Sequence, residues 1–120
     1  MKNYQELVVW QKSHTLVLKI YAVTHTFPHT EIFGLTSQIR RTAISIPSNI
    51  AEGAGLRSDT DFRRFLLIAA GSATELGYHL ILSKERHYLT AVTFDELYPI
   101  ITEIRKMLIR LINTLGTTNS

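Results

Sequence analysis

Apolar residues recur three and four positions apart through most of the chain, the spacing of one face of an α-helix. Residues 33–53 show it best. Leu35, Ile39, Ala43, Ile46 and Ile50 make an apolar stripe, while Gln38, Arg41, Ser45, Asn49 and Glu52 make a polar stripe on another face. The whole pattern predicts four helices. The first runs from Gln5 to Thr26, with Asn3 and Glu6 as a capping box, a core stripe of Leu7, Trp10, His14, Val17 and Tyr21, and Pro28 as its stop. The second runs from Leu35 to Glu52 and is closed by Gly53 and Gly55 in the left-handed conformation. The third starts at Ser58, answered by Asp61, and its seam is Phe62, Leu66, Ala69, Ala73, Leu76 and Leu80. The fourth starts at Thr93, with Glu96 completing a second box and Gly116 ending it; its seam is Leu97, Ile101, Ile104, Leu108, Leu111 and Leu115. Alternating steps of four and three suit helices packed at a shallow angle. Short connectors between long helices predict an all-α, up-down-up-down antiparallel four-helix bundle over residues 1–116, with 117–120 as a flexible tail.

Two prolines fall inside these helices. Pro47 lacks a backbone donor and crowds the carbonyl four residues earlier, which costs about 3 kcal/mol in a plain helix interior. It reads as a tolerated kink, or as a bend that shapes a subunit interface. Pro99 is expected to bend or delay the fourth helix just past its first turn. The fourth helix also holds more apolar surface than one seam uses: Ile100, Met107, Ile109 and Ile112 widen its arc. Either this helix is the central one of the bundle or it also faces another subunit; a large exposed apolar face is a liability for a lone molecule, so self-association is the favoured expectation.

Composition narrows the function classes. With 120 residues and 45% hydrophobic content, the chain is one domain with one core. It contains no cysteine, which excludes disulfides, thiolate metal sites and a cysteine nucleophile, and fits a reducing cytoplasm. The apolar patch Leu7–Trp10 is broken by Gln11, Lys12, Ser13 and His14, and the run Phe65–Ala70 is far short of a membrane span, so a soluble cytoplasmic protein with no membrane partner is expected. The net charge is +3, with arginine outnumbering lysine eight to five. Residues 36–72 hold five arginines against three acids. Arginine forks suit phosphate oxygens, and Arg40, Arg57, Arg63 and Arg64 are the candidate nucleic-acid contacts. No aromatic residues interleave with them, so base reading is not expected.

Other chemistry is weaker. Gln38, Arg41, Asn49 and Glu52, facing Glu75 on the third helix, read as a structural polar network that fixes register. Arg41, Glu75 and His79 are the acid–base alternative. Ser72 in Gly71-Ser72-Ala73 is not a nucleophile elbow. No Glu-x-x-His pair marks a di-metal bundle, and His25 and His29 are separated by Pro28, so neither a metal nor a cofactor is expected. Gly53-Ala54-Gly55 lacks the Gly-Lys-Ser/Thr of a phosphate loop.

Gly34-Leu35-Thr36-Ser37-Gln38-Ile39-Arg40-Arg41, Ser45-Ile46-Pro47-Ser48-Asn49-Ile50-Ala51-Glu52-Gly53 and Ala70-Gly71-Ser72-Ala73-Thr74-Glu75-Leu76 together resemble the four-helix-bundle proteins encoded in intervening sequences of bacterial 23S ribosomal RNA genes. The opening Tyr4–Trp10 fits as well. The resemblance implies a left-handed bundle assembled as a homopentameric ring, with no enzymatic activity and no active site to carry over. It also links the chain to the accessory variability proteins of diversity-generating retroelements, which bind RNA or DNA and a reverse transcriptase through a strongly basic surface. A protein-binding scaffold without nucleic acid is the competing expectation.

Overall fold

The computed structural model describes residues 3–115; the expected stop at Gly116 and the tail 117–120 lie outside them. The helices are α1 (Val8–Thr24), α2 (Leu35–Ala54), α3 (Asp59–Glu85) and α4 (Ala91–Leu115), with 3₁₀ turns at Tyr4–Glu6 and His29–Glu31. Among the described residues there is no strand. Helices adjacent in sequence are adjacent in space, and α1 against α4 closes the square, while the diagonal pairs do not meet. This is the expected up-down-up-down bundle. It measures 48 × 22 × 21 Å, and its long axis is set by α3, whose 27 residues rise about 40 Å.

The α2 and α3 stripes are buried as expected, except that Leu35 is only partly covered. In α4, Leu97, Ile101, Ile104 and Leu108 are buried, but Ile112 replaces Leu111 in the core, and Leu111 and Leu115 are half-covered. A strict seven-residue seam drifts around a straight 3.6-residue helix, so the last turn presents a neighbouring residue. Ile100, Met107 and Ile109 also pack partly against the core. The apolar excess of α4 is therefore largely absorbed inside the bundle. By length and composition α3 could cross a membrane; its apolar seam lies in the bundle core.

α1 departs most from expectation. Its buried face is Val9, Ser13, Leu16, Val17, Ile20 and Thr24, whereas His14 and Tyr21 are exposed and Trp10 and Leu7 half-buried. The aromatic stripe is the edge of the interface with α2. Ser13 and Thr24 can occupy the core because their hydroxyls donate to carbonyls of their own helix, Trp10 O at 2.9 Å and Ile20 O at 2.7 Å. Local satisfaction of this kind removes the cost of burying a hydroxyl. The helix also starts later than predicted. Asn3 Oδ1 accepts from the Gln5 amide, capping the 3₁₀ turn, and Leu7 is extended between turn and helix.

Helix ends differ in informative ways. Ser58 caps α3 by accepting the Asp61 amide at 3.1 Å, as expected. α4 begins at Ala91 rather than Thr93, because Thr90 Oγ1 accepts the Thr93 amide. Both α2 and α4 continue through their prolines, Pro47 and Pro99. α3 ends in a Schellman turn: His87 takes φ 64°, while the Tyr88 amide donates to Ser83 O and the His87 amide to Lys84 O. Tyr88 then donates to Glu31 Oε2 at 3.0 Å, and Glu31 Oε1 accepts the Leu35 amide at 3.1 Å. The carboxylate thus caps α2 and ties its entry to the α3–α4 turn. The Leu35 amide first, and the Tyr88 hydroxyl second, hold the Glu31 carboxyl below its ordinary range.

The glycines at 53 and 55 do not stop α2 through left-handed geometry. No described glycine has positive φ, and Gly53 lies inside the helix. A Cβ on Gly53 would sit 2.8 Å from Phe65 Cβ and 3.3 Å from the Phe62 carbonyl oxygen. Gly53 is there so that α2 and α3 can approach closely. Gly53→Ala is expected to destabilise the fold by about 1–3 kcal/mol, as overpacking against atoms that cannot swing away does. Urea denaturation of the two proteins, compared at equal slope, checks this.

Candidate functional site

The candidate arginines do not form one cluster. Arg57 lies in the α2–α3 turn, exposed and without an ion-pair or hydrogen-bond partner among the described residues. Arg63 is half-buried on the first turns of α3, with its Nε enclosed and unbonded. Arg64 is exposed, 3.4 Å from Asp61 and stacked over the Phe65 ring. These three mark one end of the bundle. Arg40 is elsewhere, about 20 Å away along α2 by helical rise. It is also occupied: its Nε donates to Thr24 Oγ1 at 2.9 Å, and its guanidinium covers the Tyr21 ring. Arg41, assigned to the internal network by sequence, is instead exposed and unpaired among the described residues. The ordering of 40 and 41 follows from helix phase. Arg40 falls on the edge beside α1, and one residue further turns the side chain by about 100° toward solvent.

Other cations are engaged within the molecule. Arg105 Nε donates to Thr74 Oγ1 at 2.9 Å, Lys84 covers Phe94, and Lys12 sits 3.5 Å from Glu103. Ion pairs this exposed add little to stability. They do lower the number of guanidinium and ammonium groups free to meet a phosphate.

Gln38, Arg41 and Glu75 border one groove between α2 and α3, with a volume of about 390 Å³, whose floor includes Ser45 and Ser72. Glu52 is exposed and lies outside it. The hydrogen bonds run through smaller groups. Ser45 Oγ and Ser72 Oγ are 2.8 Å apart, and Asn49 Nδ2 donates to Ser45 O at 2.8 Å and Ser45 Oγ at 3.0 Å. Of the five residues expected in the network, Asn49 is the one that the structure hydrogen-bonds. Ser72, which sequence excludes as a nucleophile elbow, reaches this pair across the helices through Ser45 Oγ. The signal available was register: in antiparallel helices, a serine facing a serine is a hydrogen bond.

His79 is 5% exposed. Its Nε2 lies 3.6 Å from Glu75 Oε2, too long for a hydrogen bond, and its Nδ1 is enclosed without a partner. Desolvation pushes the imidazole below its ordinary pKa of 6.5, and the pull of the partly exposed Glu75 carboxylate does not offset it. A general base must reach the proton that it takes, and this imidazole has little opening to a substrate. Among the described residues, no group of three or more His, Asp or Glu is placed to hold a metal.

The architecture defines a class: a small up-down helical bundle with a polar α2–α3 seam and dispersed exposed arginines. A family profile described as 23S rRNA-intervening sequence protein matches residues 5–110. The chain belongs to that family. Among solved structures it is similar to the 1.70 Å crystal structure of a protein of unknown function from the S23 ribosomal protein family of Bacteroides thetaiotaomicron VPI-5482. That similarity has a TM-score of 0.79 at 32% identity and covers 88% of this chain and 98% of the other. No curated protein matches the chain.

The buried imidazole has a measurable consequence. As pH falls through 6.5 the unfolded chain takes up a proton that folded His79 resists, so the native state loses stability until the lower folded pKa is passed. Above pH 7.5 both states are neutral and the effect vanishes. Denaturation midpoints of the wild type should therefore drop between pH 7.5 and 5, and those of His79→Leu should drop less.

Proposed function

We propose that this protein is a non-enzymatic, cytoplasmic homo-oligomer, a pentamer, that holds nucleic acid by charge without reading its sequence and without a cofactor or membrane. The observation that carries this reading is the apolar surface left outside the bundle. Phe33 is 95% exposed, and Ile44, Leu67, Ile68 and Tyr78 are exposed on helix surfaces. Side chains of this kind gain by burial between copies. One chain at +3 is a weak field, whereas five copies carry +15. Exposed Arg57 and Arg64, with Arg41 added and Arg40 demoted by its bonds to α1, then repeat around the assembly and meet phosphates rather than base edges. The family's association with 23S rRNA intervening sequences makes structured RNA the first ligand to test.

A second reading, a scaffold that binds a protein such as a reverse transcriptase, is favoured by the number of cations already engaged inside the molecule. The two readings separate in one set of measurements. Under the first, affinity for structured RNA and duplex DNA falls steeply with salt, roughly 0.9 log units per log unit of salt for each phosphate contact on the duplex. Arg57→Ala with Arg64→Ala should flatten that slope and leave the oligomer intact. A flat slope in the wild type, or partners from lysate that survive nuclease, favours the scaffold.

A further inference from the structure

Hydroxyls inside these helices mostly find an acceptor in their own turn. Thr24, Thr74, Ser83 and Thr102 each donate to the carbonyl four residues earlier. Thr42 does not. It is 7% exposed and borders the α2–α3 groove, and its hydroxyl makes no hydrogen bond among the described residues. A hydroxyl this buried is expected to have a partner. The serine pair on the groove floor also has a proton to spare. Asn49 Nδ2 donates to Ser45 Oγ, and Ser45 Oγ and Ser72 Oγ share one hydrogen bond. Each hydroxyl carries one proton and the shared bond uses one of them, so the other has no acceptor among the described residues.

Two opposite charges border the same groove without meeting. Arg41 stands one turn before Ser45 on α2, and Glu75 stands three residues after Ser72 on α3, so helical spacing puts both on this seam. They form no ion pair with each other. The neighbouring charges are engaged or lie elsewhere. Arg40 is bonded to Thr24 on the α1 side, Arg105 to Thr74 on the α4 side, and Arg64 is paired with Asp61 nearer the start of α3. Glu52 lies outside the groove. Glu31, beside Gly34 at the groove's end, accepts from the Leu35 amide and from Tyr88. His79 Nε2 lies 3.6 Å from Glu75 Oε2, but burial holds that imidazole neutral at neutral pH, so it leaves the carboxylate charge uncompensated.

We propose that the α2–α3 groove binds a small zwitterion, a free amino acid. Arg41, with the unused hydroxyl protons of Thr42 and the serine pair, holds its carboxylate, and Glu75 holds its ammonium. A lone anion would be repelled by Glu75 and a lone cation by Arg41, whereas a molecule carrying both charges satisfies both. The groove volume of about 390 Å³ lies within the range of small-molecule sites. The site belongs to one chain and needs neither assembly nor nucleic acid, so it goes beyond the reading above.

The standard amino acids, screened by thermal shift against the whole chain and followed by calorimetric titration of the strongest, test this. One molecule should bind per chain, with saturation below about 10 mM. The amide of that amino acid lacks the carboxylate, and its N-acetyl form lacks the ammonium. Each should bind about tenfold more weakly or worse, as expected when a charge-assisted hydrogen bond is lost. Arg41→Gln and Glu75→Gln change exposed side chains, and circular dichroism verifies that both fold. Each should lose a similar factor, and the losses should be paired. Arg41→Gln should no longer distinguish the amino acid from its amide, and Glu75→Gln should no longer distinguish it from its N-acetyl form. The proposal is overturned if no amino acid saturates the protein below that concentration, if either derivative binds as tightly as its parent, or if either variant binds like the wild type.

Discussion

The close approach of α2 to α3 is the constraint on which the rest of this bundle depends. It is fixed at two heights. At one, Ser45 and Ser72 share a hydrogen bond that Asn49 completes from a turn away. At the other, the missing side chain of Gly53 admits Phe62 and Phe65. Moving eight residues forward along α2 from Ser45 corresponds to moving seven back along α3 from Ser72, the relation of antiparallel helices in register. An apolar seam alone tolerates sliding by a turn. A paired hydroxyl and a glycine notch do not, because sliding leaves one polar group unpaired and drives a Cβ into a backbone.

This explains which parts of the fold were legible in sequence. The α3 and α4 seams were readable because their apolar residues dominate one face and their steps repeat. The α1 face was not, since large aromatic residues attract attention while Ser13 and Thr24 conceal a core position. Their hydroxyls are satisfied locally, a fact invisible to any count of apolar spacing. Gly53 is ambiguous in sequence because a glycine near a helix end has two physical uses, left-handed closure and close packing, and only the neighbour across the interface tells them apart. The Glu31–Tyr88 link spans 57 residues, so no local pattern could mark it.

The polar site was legible as a place but not as a set of bonds. Gln38, Arg41 and Glu75 border one groove. Their long side chains remain partly solvated, and the buried hydrogen bonds belong to shorter neighbours. Flexible charged groups lose entropy when fixed, whereas serine and asparagine lose less. A seam that must be rigid therefore favours the small polar residues. The same economy places His79 as a neutral, enclosed ring rather than as half of an acid–base pair. Its lowered pKa follows from burial, and the carboxylate nearby is too exposed to reverse it.

Surface charge follows a different logic from the core. With three candidate arginines at one end and Arg40 some 20 Å up the bundle and already bonded, a single chain offers no dense phosphate site. Screening over about 10 Å at ordinary salt keeps the two regions nearly independent. Affinity for a polyanion would then depend less on any one arginine than on how copies are arranged. A ring brings equivalent ends together at fixed spacing, and a long nucleic acid can touch several at once without each contact being strong. The apolar faces and the dispersed cations are in this sense one question: under the proposed self-association, a geometry that buried exposed Leu67, Ile68, Tyr78 and Phe33 would also set the distance between one copy of Arg57 and the next.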